Sequence, residues 1–142
     1  MCSKIGKACY IPIGHKSKKC VNKDIVLKKL KPLLEDPSIK KIGQNMKYDL
    51  MIFKKYGINI EPIEDTMLLS YTLDAGNNRH NMDTLSEIHL GHKTISYKEI
   101  VGSGKKQLNF SEVNLKDATK YAAEDADVTL RLYNILKDRV DN

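Results

Sequence analysis

The last quarter of the chain carries an apolar stripe with helical spacing. Apolar and small residues recur three or four positions apart between Ala118 and Leu136, as on one face of an amphipathic helix. Asn114, a residue type that caps helix N-termini, stands just before the pattern. The sequence therefore predicts one long helix over about 115–140, and the rest of the fold must pack against its stripe.

One acidic residue interrupts this stripe. Asp125 falls in its middle, and a carboxylate on a buried face is costly unless it is paired, hydrogen-bonded or metal-bound. Tyr121 lies one turn earlier on the same face, so its hydroxyl and the carboxylate can converge. Asp125 is thus either a core acid satisfied by a hydrogen bond or a metal ligand. Glu124 and Asp127 are expected to point into solvent.

A second acid of this kind is Asp49. The segment from Met46 to Gly57 predicts another helix, with Asp49 on the same side as Met46, Ile52 and Phe53. Carboxylates are hard oxygen ligands that suit Mg²⁺ or Mn²⁺ better than zinc. Two of them alone are few for a site that holds two metal ions.

The remaining segments alternate between strand-like and helical patterns. Strands are predicted at 8–13 and 39–42, and a basic loop at 16–19. Further helices are predicted after capping residues at Asn22, Asp65, Asp83 and Ser96. Strands mixed with helices indicate an α/β fold, and 142 residues suit a single domain.

The apolar runs and the cysteines of the sequence indicate in which compartment the protein is expected. No apolar run approaches the roughly 18 residues that cross a bilayer, and the first residues lack the apolar core of a secretory leader. The three cysteines form no C-x-x-C pair, which favours a reducing cytoplasm over an oxidising compartment.

Charge is distributed unevenly along the chain. The net charge is +6, and residues 1–56 hold fourteen lysines against four acids. A basic half is typical of a protein with a polyanionic partner, because lysines that neutralise phosphates release counterions. A lysine-biased genome explains the same numbers, so both interpretations stay open.

Several segments together resemble a known family. Residues 43–49 (Gly-Gln-Asn-Met-Lys-Tyr-Asp) resemble the second exonuclease motif of the 3′–5′ proofreading domain in family A DNA polymerases, the bacterial DNA polymerase I type. Residues 121–130, with Tyr-x-x-x-Asp, resemble the third motif. RNase D-like exonucleases share that third pattern, but Asp-Thr-Met-Leu-Leu-Ser-Tyr at 65–71 and Arg-His-Asn-Met-Asp at 79–83 favour the polymerase branch.

The resemblance implies a ribonuclease-H-like α/β fold, a mixed sheet flanked by helices, over 1–142. It also implies hydrolysis of single-stranded DNA from the 3′ end with two Mg²⁺ or Mn²⁺ ions. Asp125 would ligate the metal that holds the attacking water, Asp49 would reach the second metal through water, and Tyr121 would orient the nucleophile. The positions that match the family's contacts to the terminal nucleotides are Gln44, Asn45, Tyr48 and Arg79. Tyr97 would contact the frayed strand as a stacking platform.

One family feature has no counterpart in this sequence. The first motif, Asp-x-Glu on the first core strand, is absent before Asp49. We therefore expect a domain that is partial at its N-terminus, lacks its first core strand and is weak or inactive alone. The expected partners are the 3′ end of single-stranded DNA, an N-terminal strand and a polymerase domain from this or another chain. The alternative is a catalytically inactive nucleic-acid-binding or interaction module.

Overall fold

The structure, a computed structural model, describes residues 1–16 and 19–142. Its elements, in chain order, are strands β1 (Cys2–Lys4) and β2 (Lys7–Ala8), helix α1 (Lys23–Glu35), strand β3 (Lys41–Gly43), helix α2 (Met46–Lys55), strand β4 (Ile63–Asp65), and helices α3 (Thr66–Asp74), α4 (Met82–Leu90), α5 (Tyr97–Val101) and α6 (Leu115–Asp141). Single 3₁₀ turns lie at Gly104–Lys106 and Phe110–Glu112. Ser17 and Lys18, two residues of the predicted basic loop, lie outside the described residues.

Most helices begin where the sequence predicts. The Asn22 side chain accepts hydrogen bonds from the amides of Asp24 and Ile25, and Ser96 forms a capping box with Glu99. The prediction that Asp83 caps a helix is wrong. α4 begins one residue after Asn81, which leaves Asp83 inside the first turn, where the helix dipole also favours an acid.

The first predicted strand is much shorter than expected. Of residues 8–13 only Ala8 lies in a strand, because pairing stops at β2. Pro12 has no amide hydrogen to donate to a ladder, and Tyr10 contacts the ring of Phe110 instead. The other predicted strand, at 39–42, is displaced to Lys41–Gly43.

Two separate strand pairs lie against the long helix. β1 and β2 are antiparallel, whereas β3 and β4 are parallel, with Gly43 opposite Asp65. α6 contacts β1, β2 and β3. Within residues 1–16 and 19–142, no hydrogen-bonded ladder joins the two pairs.

The apolar stripe of α6 forms much of the core, as predicted. Val128, Leu132 and Leu136 are buried against Leu85 of α4, and α3 is the helix that contacts α6 most extensively. A second cluster joins α1 to α2. Its buried members are Leu34, Met46, Ile58 and Ile60. No helix in the described part of the chain is both long enough and apolar enough to span a membrane.

Candidate active site

Asp125 lies on the inner side of α6 with an unsatisfied carboxylate oxygen. Its Oδ1 is buried and accepts no hydrogen bond. Burial, followed by the negative charges of Glu124 and Asp83, raises the pKa of Asp125 to about 6, although the nearby Tyr121 hydroxyl acts in the opposite direction. A buried oxygen without a donor is rare in folded proteins and calls for an explanation. A cation bound there would supply the missing partner.

Tyr121 lies beside this carboxylate in a half-buried position. Burial and the charges of Asp125 and Asp83 raise the pKa of Tyr121 to about 12. The phenol therefore stays protonated at neutral pH and can donate a hydrogen bond. Its ring centroid is 6.0 Å from that of Tyr97 and 5.9 Å from that of Phe110.

The expectation that Glu124 and Asp127 are solvated is wrong. Glu124 accepts hydrogen bonds from His92 Nε2 at 2.9 Å and from the Ile95 amide at 2.7 Å. Asp127 accepts one from the Gly6 amide at 2.6 Å. Both acids point away from the apolar stripe, as the spacing requires. The segment before α5 and the β1–β2 turn nevertheless cover them, so they fasten neighbouring segments to α6.

Asp49 is exposed in the first turn of α2, whereas the sequence places it on the buried side. Met46 is buried in the core, and Phe53 packs against the same cluster. Partial desolvation, together with the negative charge of Asp65, raises the pKa of Asp49. The Asp49 carboxylate is therefore accessible to solvent at the start of α2.

The turn that leads into α2 is held by one carboxylate. Asn45 has a left-handed backbone, with φ of 56°, which is uncommon for a residue other than glycine. Asp65 accepts the amide hydrogens of Asn45 at 3.0 Å and of Met46 at 2.8 Å, and also caps α3 through the Met67 amide at 2.9 Å. The sequence predicts only the capping role of Asp65.

Both the nitrogen and the oxygen of the Gln44 side-chain amide form hydrogen bonds within the protein. Its Nε2 donates to the backbone carbonyl of His80 at 2.8 Å, and its Oε1 accepts from the Thr66 hydroxyl. Gln44 thus lies next to the turn that carries Arg79, which is exposed. The side chain of Gln44 is therefore engaged within the fold.

The remaining predicted contact residues present aromatic surface to solvent. Tyr48 is 65% exposed, on the outer face of α2. Tyr97 is 47% exposed and stacks on Phe110 with ring centroids 6.2 Å apart. A partly exposed ring backed by a second ring is a suitable platform for a nucleobase.

The structure brings only some of the predicted residues together. Tyr97, Tyr121 and Asp125 form one group, and Gln44 joins the Arg79 turn in another. Among residues 1–16 and 19–142, no three His, Cys, Asp or Glu side chains cluster as a metal site. The hard oxygens and the unsatisfied Oδ1 of Asp125 fit a divalent cation.

Sequence reasoning missed two residues beside this group. The Asp83 carboxylate accepts a hydrogen bond from Thr94 at 2.6 Å, and its charge raises the pKa of both Asp125 and Tyr121. Phe110 contacts the rings of Tyr97 and Tyr121. Asp83 looks like a helix cap in the sequence, and Phe110 is a lone aromatic residue in a loop, so neither shows a signal by itself.

Comparison with known proteins identifies the family. The family model for the 3′–5′ exonuclease of family A DNA polymerases matches residues 2–141. The chain belongs to this 3′–5′ exonuclease family. The predicted family is thereby confirmed.

Two relatives with similar sequences are bacterial DNA polymerases. The chain is 47% identical to DNA polymerase I of Rhizobium leguminosarum over 94% of its own length and 14% of the polymerase. It is 44% identical to DNA polymerase I of Pseudomonas aeruginosa over 97% of its length and 16% of that protein. The chain therefore spans about one seventh of the length of these two relatives.

Solved structures show the same fold. Brucella melitensis NrnC superposes with a TM-score of 0.63 at 24% sequence identity, over 89% of this chain and 55% of that one. A form of NrnC with bound Mg²⁺ gives a TM-score of 0.61 at the same identity and coverage. The predicted ribonuclease-H-like exonuclease fold is confirmed.

Proposed function

We propose that this chain is the 3′–5′ exonuclease domain of a DNA polymerase I-like protein that removes nucleotides from the 3′ end of single-stranded DNA. The observation that carries the proposal is the buried, unpartnered Oδ1 of Asp125 next to the protonated hydroxyl of Tyr121. A carboxylate for a cation and a donor for a water molecule are two components that metal-assisted hydrolysis requires. In this role the protein serves DNA replication and repair in the cytoplasm.

Asp125 would hold one divalent ion directly, and Asp49 would reach a second through water. When bound, Mg²⁺ or Mn²⁺ supplies an activated water and stabilises the leaving oxygen. Tyr121 would orient the nucleophile by donating a hydrogen bond from its phenol, which is protonated at neutral pH. The NrnC structure with bound Mg²⁺ supports this choice of ion.

The 3′-terminal nucleotides would lie between two groups of side chains. Gln44, Asn45, Tyr48 and Arg79 contribute polar and cationic contacts from the α2 turn and the turn before α4. Tyr97 contributes a stacking surface next to Tyr121. The lysine-rich first 56 residues add a general attraction for the phosphate backbone.

We further propose that the site is completed by a strand that carries Asp-x-Glu. β1 and β3 each pair with one neighbour among the described residues, and α6 lies against both. A strand added beside them would bring further carboxylates towards α6, where the described residues provide no three-acid cluster. The domain is then partial, and the strand and a polymerase domain are its protein partners. Because of that missing cluster, an inactive nucleic-acid-binding module is the second candidate.

Digestion of a 5′-labelled single-stranded oligonucleotide tests both candidates. The 142-residue chain should bind the oligonucleotide but digest it slowly in Mg²⁺, whereas adding the Asp-x-Glu strand, fused or as a second chain, should give stepwise loss of 3′ nucleotides. Asp125→Asn should abolish that digestion. Asp138→Asn, the same change at an exposed position of α6, should not.

The possible results separate the hypotheses. Binding without digestion even after the strand is restored favours the binding module. Rapid Mg²⁺-dependent digestion by the chain alone contradicts the proposed completion by a strand. Neither binding nor digestion in any form contradicts the proposed function.

A further inference from the structure

Helix α3 presents a row of buried polar side chains to two surface turns. Thr66 and Ser70 are one helical turn apart and are 0% and 2% exposed. Thr66 faces the turn before α2, where its hydroxyl shares its one proton between the Gly43 carbonyl, at 3.1 Å, and Gln44 Oε1. Ser70 faces the turn before α4. A helix that buries hydroxyls in place of apolar groups needs defined partners for them.

The partner of Ser70 is a buried histidine. Ser70 Oγ and His80 Nδ1 are 2.8 Å apart, and His80 is only 7% exposed. The Tyr71 ring covers the imidazole, with centroids 3.8 Å apart. Arg79, the residue just before His80, is exposed. The imidazole therefore fixes the base of the turn from which the Arg79 side chain extends.

Gln44 connects the two turns. It accepts from Thr66 on one side and donates to the His80 carbonyl at 2.8 Å on the other. Hydrogen bonds thus link Thr66 through Gln44 to the backbone carbonyl of His80, and the imidazole of the same residue is linked to Ser70. Satisfied polar networks in a protein interior hold their members in one arrangement, and this network spans two of the proposed DNA contacts.

We infer that Ser70 and His80 are positioning residues, which hold Arg79 at a fixed distance from Gln44 so that both engage the 3′-terminal nucleotides. This inference rests on the proposed function. Neither residue reaches solvent well enough to contact DNA itself. Gln44 is both a proposed DNA contact and a member of this network, because its side-chain amide bonds to Thr66 and to the His80 carbonyl.

A double-mutant cycle on DNA affinity tests the inference. The dissociation constant of a 3′-ended single-stranded oligonucleotide is measured for the 142-residue chain and for Ser70→Ala, Arg79→Ala and the double variant. Ser70→Ala and Arg79→Ala should each weaken binding, by about fivefold or more, and the double variant should bind like Arg79→Ala alone, because coupled residues are not additive. Ser103→Ala, at an exposed loop position, is the matched control and should bind normally.

A second pair of variants replaces His80, the hydrogen-bond partner of Ser70. His80→Asn keeps a hydrogen-bonding group near the position of Nδ1, whereas His80→Leu does not. Affinity should be largely retained in His80→Asn and lost in His80→Leu, with melting curves recorded for each variant. The test therefore does not depend on whether Ser70→Ala folds.

Each outcome has a distinct meaning. Losses that add in the double variant, or normal binding by Ser70→Ala and His80→Leu, overturn the positioning role alone. Normal binding by Arg79→Ala removes Arg79 from the proposed contacts and overturns the inference, but leaves the chemistry at Asp125 unaffected. Absence of binding by the unmodified chain contradicts the proposed function and the inference together.

Discussion

The rings of Tyr97 and Tyr121 meet edge to face, with their centroids 6.0 Å apart and their planes at 61°. This contact joins the surface on which we place the frayed DNA strand to the hydroxyl that we assign to the nucleophilic water. Phe110 contacts both rings. The substrate stacking and the water orientation that we propose therefore depend on one aromatic cluster, built from α5, a 3₁₀ turn and α6.

The first prediction concerns Phe110. Phe110→Ala removes the ring that supports Tyr97 and Tyr121, and should lower the free energy of unfolding by about 1–3 kcal/mol, less than a fully buried phenylalanine would cost. Chemical denaturation measures this change. Tyr48→Ala, at an exposed ring of α2, serves as the control and should stay within about 0.5 kcal/mol of the unmodified chain.

The second prediction concerns the pH dependence of stability. The pKa of Asp125 is about 6 in the folded chain against an ordinary value of 3.8, so the folded state holds this proton more tightly than the unfolded state. The tighter binding of this proton adds to the free energy of unfolding. This stabilisation is fully present below about pH 4 and is lost as the pH rises towards about 6. Asp125→Asn does not titrate there, so it should gain stability relative to the unmodified chain across this window.

Two further variants isolate the cause of this effect. Asp83→Asn keeps an acceptor for Thr94 but removes a charge that raises the pKa of Asp125. NMR titration of the Asp125 carboxyl should therefore give a lower pKa in Asp83→Asn. Asp138→Asn, at an exposed site on the same helix, should leave the titration unchanged. An unchanged Asp125 pKa in Asp83→Asn would contradict the proximity of the two acids.

The third prediction concerns Asp65, which accepts three backbone amide hydrogens. Asp65→Ala leaves the Asn45 and Met46 amides without their acceptor and removes the cap of α3, so it should cost about 2–4 kcal/mol of stability. It should also lower the pKa of Asp49, since the Asp65 charge contributes to raising it. Denaturation and NMR titration measure the two effects. Glu61→Ala, at an exposed position, should change neither.

The long helix was predictable because its signal is local and redundant. Asn114 caps it, and its stripe repeats over several turns, so each turn supports the same assignment. The short strand pairs were not predictable to the residue. Strands of two or three residues such as β2 and β3 carry too few side chains to show a period, and their ends depend on neighbouring strands.

The residues of the candidate site were likewise predictable only in part. Asp125 was detectable because an acid on an apolar stripe breaks a strong local pattern. Glu124 and Asp127 were misjudged because a helical pattern tells which residues leave the stripe, but not which distant segments cover them. The Ser70–His80 hydrogen bond could not be predicted either, because its two members are ten residues apart and no local pattern brings them together.

The last prediction concerns metal binding by the chain as it stands. Mg²⁺ retains its waters unless several hard oxygens replace them, and Asp125 is the one direct protein ligand that we assign. Millimolar Mg²⁺ should therefore stabilise the chain by less than about 1 kcal/mol, since stabilisation grows only as the logarithm of concentration over the dissociation constant. Mn²⁺ should act at the same place, because carboxylate and water ligands suit both ions. Melting curves with and without each ion, before and after EDTA, measure the effect.

Asp125→Asn should remove the stabilisation by the metal ion, whereas Asp138→Asn should retain it. A large Mg²⁺ effect that survives in Asp125→Asn would show that the ion binds elsewhere on the chain.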